Sequence, residues 1–357
     1  MEDQLQILAK RLRQARTMAK LSMDGLCERM EGLVTKQSIS KYESGKMMPT
    51  GEVLSAMARA LDVAPEYFSR PFTFELDSFQ VSFRKKASVG AREVGALKVQ
   101  IQDEVERYLE IEQILGREQM KPQCRDIGIL SVSGDMVACA RQLRQDWDLG
   151  KGSIPNVQDL LESKGIKVIH TKAPEDFSGV SGIVNGQHYI IVLNLANPHV
   201  EHRRLTAFHE LCHLLYNDKF APTLAQQEKE RLCHAFANEM LLPGEILSDM
   251  FRGRRKIALA ELEAVDKEYG ISIDAIIHKL NDIGIISDQR YREVYIRRNQ
   301  DKRLKDWMQD TRYEEKPVNR LEALVYSALA RQLIPISKAA VLLKKTVAET
   351  EEDFCVL

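Results

Sequence analysis

Residues 205–216 read Leu-Thr-Ala-Phe-His-Glu-Leu-Cys-His-Leu-Leu-Tyr, and this stretch decides how the middle of the chain folds. The stretch is strongly helical in character, and His209 and His213 lie four residues apart on it. Both imidazoles therefore project from one helix face about one turn apart and can share a metal ion. Neutral histidine nitrogens suit zinc, and the carboxylate of Glu210 can accept a proton beside the ion without binding it. The sequence predicts a zinc site here, with positions left for a third ligand and a water molecule.

A small β-sheet is predicted just before this helix. A helix around residues 154–163 is followed by three β-branched runs at 165–170, 180–184 and 189–193. Asn185-Gly186 between the last two runs predicts a tight hairpin, because both residues tolerate the positive φ of a type I′ turn. We expect the strand at 189–193 to present an open edge along which a substrate segment can add as a further strand.

A wider pattern around the histidine pair carries a family resemblance. The motif His-Glu-Leu-x-His-Leu-Leu is followed by Glu-x-x-Cys-x-x-Phe-Ala at 230–237 and Leu-Leu-Pro at 241–243. Together with the preceding hairpin, these motifs resemble the ImmA/IrrE family of metallopeptidases over roughly residues 150–285. The resemblance implies a zincin-like peptidase domain in which His209, His213 and Glu230 bind Zn2+ and Glu210 is the general base.

Some positions near this site leave alternatives open. Cys212 stands where the family frequently has glycine, and its direction on the helix diverges from that of His213, which disfavours zinc binding by the thiol. His234 stands where the family more often has asparagine. It is either a packing or supporting residue, or it has a direct role as an oxyanion stabiliser or alternative ligand. Glu228 is a rival third ligand on nearly the opposite helix face from Glu230.

The N-terminal 70 residues predict a bundle of short helices. Ser22 and Thr35 are candidate helix caps, and the helix beginning at residue 36 can bury Ile39 and Tyr42. Its outward side chains are of the types that contact base edges and phosphates in the major groove, namely Lys36, Gln37, Ser38 and Lys41. Helix spacing alone is equally compatible with a small bundle whose polar face is merely solvated.

The run Tyr-Glu-x-Gly-Lys-x-x-Pro at 42–49 favours the DNA-binding alternative. It closely resembles the Cro/repressor-like XRE family of helix-turn-helix proteins, and the resemblance covers about residues 6–69. Gly25 and Cys27 depart from the family's usual residues. The resemblance implies that residues 36–43 read a double-stranded DNA operator. Because one such helix usually reads a half-site, we also expect a homodimer.

Composition limits the remaining possibilities. The 357 residues carry 51 lysines and arginines against 52 aspartates and glutamates, so the net charge argues against indiscriminate binding of polyanions. The six cysteines are scattered and form no disulfide or four-thiolate pattern. No apolar run approaches the ~18 residues that span a bilayer, so we expect a cytoplasmic protein with no membrane partner.

These observations predict an α+β, mostly helical fold. We expect a five-helix helix-turn-helix domain at 1–70, a connecting segment with a long helix at 71–149, a peptidase domain with a small sheet and the His-Glu-x-x-His helix at 150–289, and a helical C-terminal region at 290–357. Amphipathic residues 321–343 in the last region suit a dimer contact, a lid or core packing. The family resemblance implies a DNA-binding transcription regulator that cleaves a repressor or other regulatory protein, itself or a partner, in a stress, phage or mobile-element circuit. The alternatives are a structural zinc, and a repressor or antitoxin whose peptidase-like domain senses a ligand or metal without proteolysis.

Overall fold

The computed structural model describes residues 2–72, 90–118, 120–125, 128–130, 133–254, 256–315 and 319–354. These residues form two units. The first contains the described residues up to 72, those from 90 to 118 and those from 319 to 354, and the second contains those from 120 to 315. The predicted α+β, mostly helical class is confirmed. Within the described ranges, no helix is both long and apolar enough to cross a membrane.

The first unit begins with the predicted bundle of short helices. Its elements are α1 (Glu2–Met18), α2 (Met23–Arg29), α3 (Lys36–Glu43), α4 (Gly51–Leu61) and a 3-10 helix (Pro65–Ser69). Ser22 and Thr35 cap α2 and α3, as the sequence predicts, because each side chain accepts a hydrogen bond from a backbone N–H three residues on. Leu26, Ile39 and Met57 are fully buried in the shared core, so α3 is fixed with its polar side outward.

The same unit also contains α5 (Ala91–Ile114) and three C-terminal helices, α15 (Arg320–Ala330), α16 (Ile336–Leu343) and α17 (Val347–Asp353). Residues 73–89 of the predicted connecting segment lie outside the described residues. Ion pairs of two buried carboxylates hold the parts together: Arg11 contacts Glu106 at 2.7 Å, and Asp103 contacts both Arg70 at 2.8 Å and Lys344 at 2.7 Å. The carboxylates of α5 therefore join the beginning and the end of the chain.

The second unit contains the sheet and nine further α-helices among its described residues. The strands are β1 (Ile166–Thr171), β2 (Gly179–Val184) and β3 (His188–Asn194), and the helices are α6 (Ser133–Asp146), α7 (Val157–Ser163), α8 (Val200–Tyr216), α9 (Gln226–Leu241), α10 (Gly244–Phe251), α11 (Leu259–Tyr269), α12 (Ile273–Asp282), α13 (Asp288–Gln300) and α14 (Lys302–Gln309), with a 3-10 turn at Asn217–Lys219 that continues α8. This unit is longer than the peptidase domain expected at residues 150–289. It also includes α6 before that range, and α13 and α14 largely after it.

The sheet confirms the hairpin and corrects the expected edge. Asn185 and Gly186 both have positive φ, 51° and 68°, as a type I′ turn requires. The strand order is β1-β3-β2, with β3 parallel to β1 and antiparallel to β2. The expectation of an open edge at 189–193 is therefore wrong, because the main chain of β3 pairs on both sides. Among the described strands, β2 provides the edge on the hairpin side.

A large apolar core positions α8 and α9 side by side. Leu211 and Cys212 of α8 and Phe236 and Met240 of α9 are fully buried in it. At the start of α8, the guanidinium of Arg204 is also buried and donates to the backbone carbonyl oxygens of residues 154, 269 and 270. The helix that carries the histidine pair is thus fixed along its length.

Candidate functional site

The two histidines of α8 meet at their Nε2 atoms. His209 and His213 lie one turn apart, and the distance between these nitrogens is 3.2 Å. His209 is buried, with 3% of its surface exposed, whereas His213 is partly exposed. The rings are nearly perpendicular, with centroids 4.9 Å apart. The predicted pair therefore directs two nitrogens toward one point at the edge of the core.

Glu230 of α9 brings a carboxylate to the same point. Its Oε2 lies 3.1 Å from Nε2 of His209, and its Oε1 lies 3.7 Å from Nε2 of His213. The side-chain amide of Gln226, one turn earlier on α9, donates to Oε1 of Glu230 at 2.8 Å. The two neighbouring helices thus bring all three predicted ligands together.

The spacing of these atoms fits a zinc ion. Ligand atoms at about 2.1 Å from zinc in a tetrahedral site lie about 3.4 Å from one another. The observed separations of 3.1, 3.2 and 3.7 Å bracket that value. Two imidazoles and one carboxylate also match the donor set of catalytic zinc sites, which keep a fourth position for water or substrate.

The sequence motifs assigned no role in the site to Cys233. Its Sγ lies 3.7 Å from Nδ1 of His213, and it groups with both histidines as a possible metal donor. However, the thiol faces the ring nitrogen of His213 that points away from Glu230. Cys233 is thus placed to orient the His213 ring, while Glu230 lies at the Nε2 atoms of both histidines. The sequence signal that could have indicated Cys233 is its position three residues after Glu230, on the same face of α9.

The contacts around His213 also shift its protonation and that of the thiols. Burial disfavours the charged form of His213, but hydrogen bonds with Cys233 and Glu230 outweigh it and raise its pKa to about 10. A hydrogen bond with Cys212 lowers the pKa of Cys233 to about 7 against the effect of burial, while burial raises the pKa of Cys212. A metal that binds Nε2 of His213 must displace a proton from that ring, so we expect metal affinity to rise with pH.

Glu210 points toward the sheet rather than toward α9. The hydroxyl of Ser181 on β2 donates to its Oε2 at 2.9 Å. Ser181 could not be found from the sequence, because only the packing of β2 on α8 brings it near the motif. The contact holds the carboxylate next to the histidine pair and beside the edge strand.

The structure also locates the alternative residues. Glu228 accepts a hydrogen bond from the backbone N–H of Ala225 at 2.9 Å, so its carboxylate caps α9 away from the histidines. Cys212 is fully buried behind the site. His234 is exposed, and its ring packs on His209 with centroids 4.4 Å apart. His234 is therefore not a core residue, and its exposed ring lies against one of the predicted ligands.

In the first unit, the predicted reading helix α3 presents most of its polar side chains to solvent. Lys36, Gln37 and Lys41 are exposed, while Ser38 is partly buried and its hydroxyl lies 3.0 Å from that of the capping residue Thr35. Lys36 pairs with Asp24 on α2 at 2.7 Å. Three of the four predicted contact residues are thus exposed, and one of these three, Lys36, is held by an ion pair with Asp24.

Comparisons with known families agree with both parts of this description. A helix-turn-helix family matches residues 12–68, and a family described as IrrE N-terminal-like domain matches residues 161–281. The second match covers the sheet, α8, α9 and the three converging side chains of His209, His213 and Glu230. Neither curated proteins nor solved structures give a match.

Proposed function

From the premise that the chain joins an XRE-type helix-turn-helix domain to an ImmA/IrrE-like peptidase domain, we propose that it is a DNA-binding transcription regulator with zinc-dependent endopeptidase activity. The observation that carries the enzymatic part is the approach of His209, His213 and Glu230 atoms to within 3.1–3.7 Å of one another. The proposed substrate is a repressor or other regulatory protein, either a partner or this chain. The proposed location is the cytoplasm.

In this proposal, His209, His213 and Glu230 hold the zinc ion. Bound zinc would supply Lewis acidity at the scissile carbonyl and make a water molecule more acidic. Glu210 accepts the proton of the attacking water and passes it to the leaving amine. Ser181 orients the carboxylate for this transfer through its hydroxyl. Neither Glu210 nor Ser181 needs to bind the metal.

The edge strand β2 gives the substrate a place to bind. Its main chain pairs with β3 on one side, which leaves its other edge for an added strand among the described residues. Ser181, midway along β2, lies next to Glu210, so a peptide on this edge would pass the catalytic carboxylate. This assignment replaces the edge expected from the sequence.

The DNA-binding part of the proposal rests on α3. The helix is fixed to the core by Ile39 and Tyr42, and the ion pair of Arg16 with Glu43 at 2.6 Å holds its C-terminal end against α1. Lys36, Gln37 and Lys41 remain exposed for phosphate and base contacts. We propose that two copies bind the half-sites of a double-stranded operator.

Glu210→Gln tests the enzymatic part of the proposal. The variant keeps the size of the side chain but removes the base, so zinc content by elemental analysis should stay at the wild-type level. Cleavage of candidate repressors, or of the chain itself followed by intact mass, should fall at least about 100-fold. Glu268→Gln, at an exposed position of α11, is the matched control and should cleave normally. Wild-type cleavage by Glu210→Gln would refute the peptidase assignment in favour of a non-proteolytic sensor.

A further inference from the structure

His234 is the residue of the metal site to which the proposed reaction gives no role. It lies on α9 one turn after Glu230, so both side chains lie on the same helix face. Its ring packs on the ring of His209, with centroids 4.4 Å apart and planes inclined by 50°. His209 is only 3% exposed, whereas His234 is exposed. His234 therefore places ring nitrogens at the protein surface next to a buried proposed ligand.

Hydrolysis of a peptide bond at this site needs a hydrogen-bond donor as well as a base. When water adds to the scissile carbonyl, the carbon–oxygen double bond opens and its electron pair becomes a negative charge on the oxygen. Glu210 is unsuited to stabilise that charge, because its carboxylate repels an anion and the proton it accepts goes to the leaving amine. Removing one donor placed at such an oxygen typically costs about 100- to 1,000-fold in rate.

The structure provides different neighbours of α8 for the base and for a donor. Glu210 faces β2, where the hydroxyl of Ser181 donates to it at 2.9 Å. His209 instead meets Glu230 where α8 packs on α9. His234 belongs to this second side. A donor on α9 can therefore stabilise the carbonyl oxygen without being neutralised by the catalytic carboxylate.

Two other donors of α8 are poorly placed for this task. Arg203 donates to the backbone carbonyl oxygen of Asn197 at 2.5 Å and lies six residues before His209, which is about 9 Å along the helix axis. Tyr216 is only 3% exposed, so its hydroxyl is not offered to a substrate. The exposed ring of His234 carries at least one N–H in either protonation state. Its capacity to donate therefore does not depend on its charge.

We propose that His234 is a catalytic residue whose ring N–H donates to the scissile carbonyl oxygen as negative charge develops there. This role rests on the proposed zinc peptidase and adds a substrate contact to it. The hydrogen bond strengthens as the oxygen becomes anionic, so His234 acts on the rate more than on substrate affinity. The electron pair returns to the carbonyl bond when the amine leaves, and His234 gives up no proton.

A tetrahedral anion tests the donor without turnover. The probe is a phosphinic pseudodipeptide of alanine, whose phosphinate has the shape and charge of the reacting carbonyl, titrated calorimetrically into the zinc-loaded full chain. Wild type should bind it saturably. His234→Phe keeps a ring against His209 but removes the N–H, and it should bind at least tenfold more weakly. The matched control is His278→Phe, at another exposed histidine whose ring packs on an aromatic ring, and it should bind as wild type does.

Restoring a donor separates hydrogen bonding from ring packing. His234→Asn and His234→Gln place an amide N–H near the positions of Nδ1 and Nε2, and at least one of them should bind the phosphinate within threefold of wild type. Zinc content by elemental analysis should be unchanged in all three variants of His234. With a repressor that the chain cleaves, His234→Phe should lower kcat at least about 100-fold and leave KM nearly unchanged.

Four results would overturn the proposal. They are the absence of saturable phosphinate binding by the zinc-loaded wild type, wild-type binding by His234→Phe, loss of zinc in His234→Phe, and equal weakening in all three variants of His234. A purified chain that retains no zinc would remove the peptidase proposal as well. Retained zinc and lost cleavage in Glu210→Gln, together with wild-type phosphinate binding by His234→Phe, would remove the role of His234 alone.

Discussion

Replacing Asp103 with asparagine tests whether the two ends of the chain are held in one unit through α5. Asp103 is 2% exposed, and its carboxylate contacts Arg70 at 2.8 Å, Arg107 at 3.3 Å and Lys344 at 2.7 Å. Arg70 belongs to the N-terminal segment and Lys344 to the C-terminal helices. Asparagine keeps the shape of the side chain but leaves buried cations without this partner.

The expected loss in the free energy of unfolding depends on the contacts that remain after the substitution. Removing one partner of a buried ion pair costs about 3–5 kcal/mol. The lower end applies here, because Arg70 keeps Glu110 at 3.2 Å and the side chain of Lys344 is 48% exposed and can turn to water. A loss of about 3 kcal/mol with a urea m-value of about 2 kcal/mol/M lowers the midpoint of unfolding by about 1.5 M.

Two spectroscopic probes separate the units in this assay. Both tryptophans, Trp147 and Trp307, lie in the second unit, so their fluorescence reports its unfolding alone. Circular dichroism reports the helices of both units. Asp103→Asn should lower the urea midpoint of unfolding of the first unit only. Asp24→Asn removes the exposed ion pair with Lys36 and should leave this midpoint unchanged within experimental error. An unchanged circular dichroism curve, or a shift in fluorescence alone, would refute the reasoning.

The pH dependence gives an independent check of the same prediction. Burial raises the pKa of Asp103, but Lys344, Arg107 and Arg70 outweigh it, and the pKa in the folded state is lowered. A lowered carboxyl pKa contributes stability above the unfolded value of about 4, and this is lost as the pH falls through the folded value. The stability difference between wild type and Asp103→Asn should therefore be constant from pH 6 to 8 and narrow below about pH 4.

Three further predictions concern the two candidate sites. Glu230→Ala should lose zinc by elemental analysis, whereas Glu228→Ala should retain it, since the latter carboxylate only caps a helix; the reverse pattern would exchange their roles. Ser181→Ala should keep zinc but slow cleavage, because its hydroxyl contacts the proposed base and not the ligands; an unchanged rate would remove it from the mechanism. Gln37→Ala should relax base preference, while Lys36→Ala should weaken binding to all operators and reduce the salt slope by about 1; identical effects across an operator panel would contradict this distinction.

The sequence by itself determined the local elements of both candidate sites. The four-residue spacing of His209 and His213 required one helix face, and Asn185-Gly186 specified the turn between β2 and β3. Thr35 marked the beginning of the reading helix. These features depend on periodicity and on the φ values that individual residues tolerate, which are properties of neighbouring residues in the chain.

Tertiary structure alone decided which distant side chains meet. The order β1-β3-β2 placed Ser181 beside Glu210, although the residues are 29 positions apart and no spacing links them. Lys344 reached Asp103 across most of the chain and joined the C-terminal helices to the first unit. Such contacts form because buried charges need partners and apolar faces must be covered. From the sequence alone, many different pairs of side chains could meet these requirements equally well. Only the packed fold selects one of them.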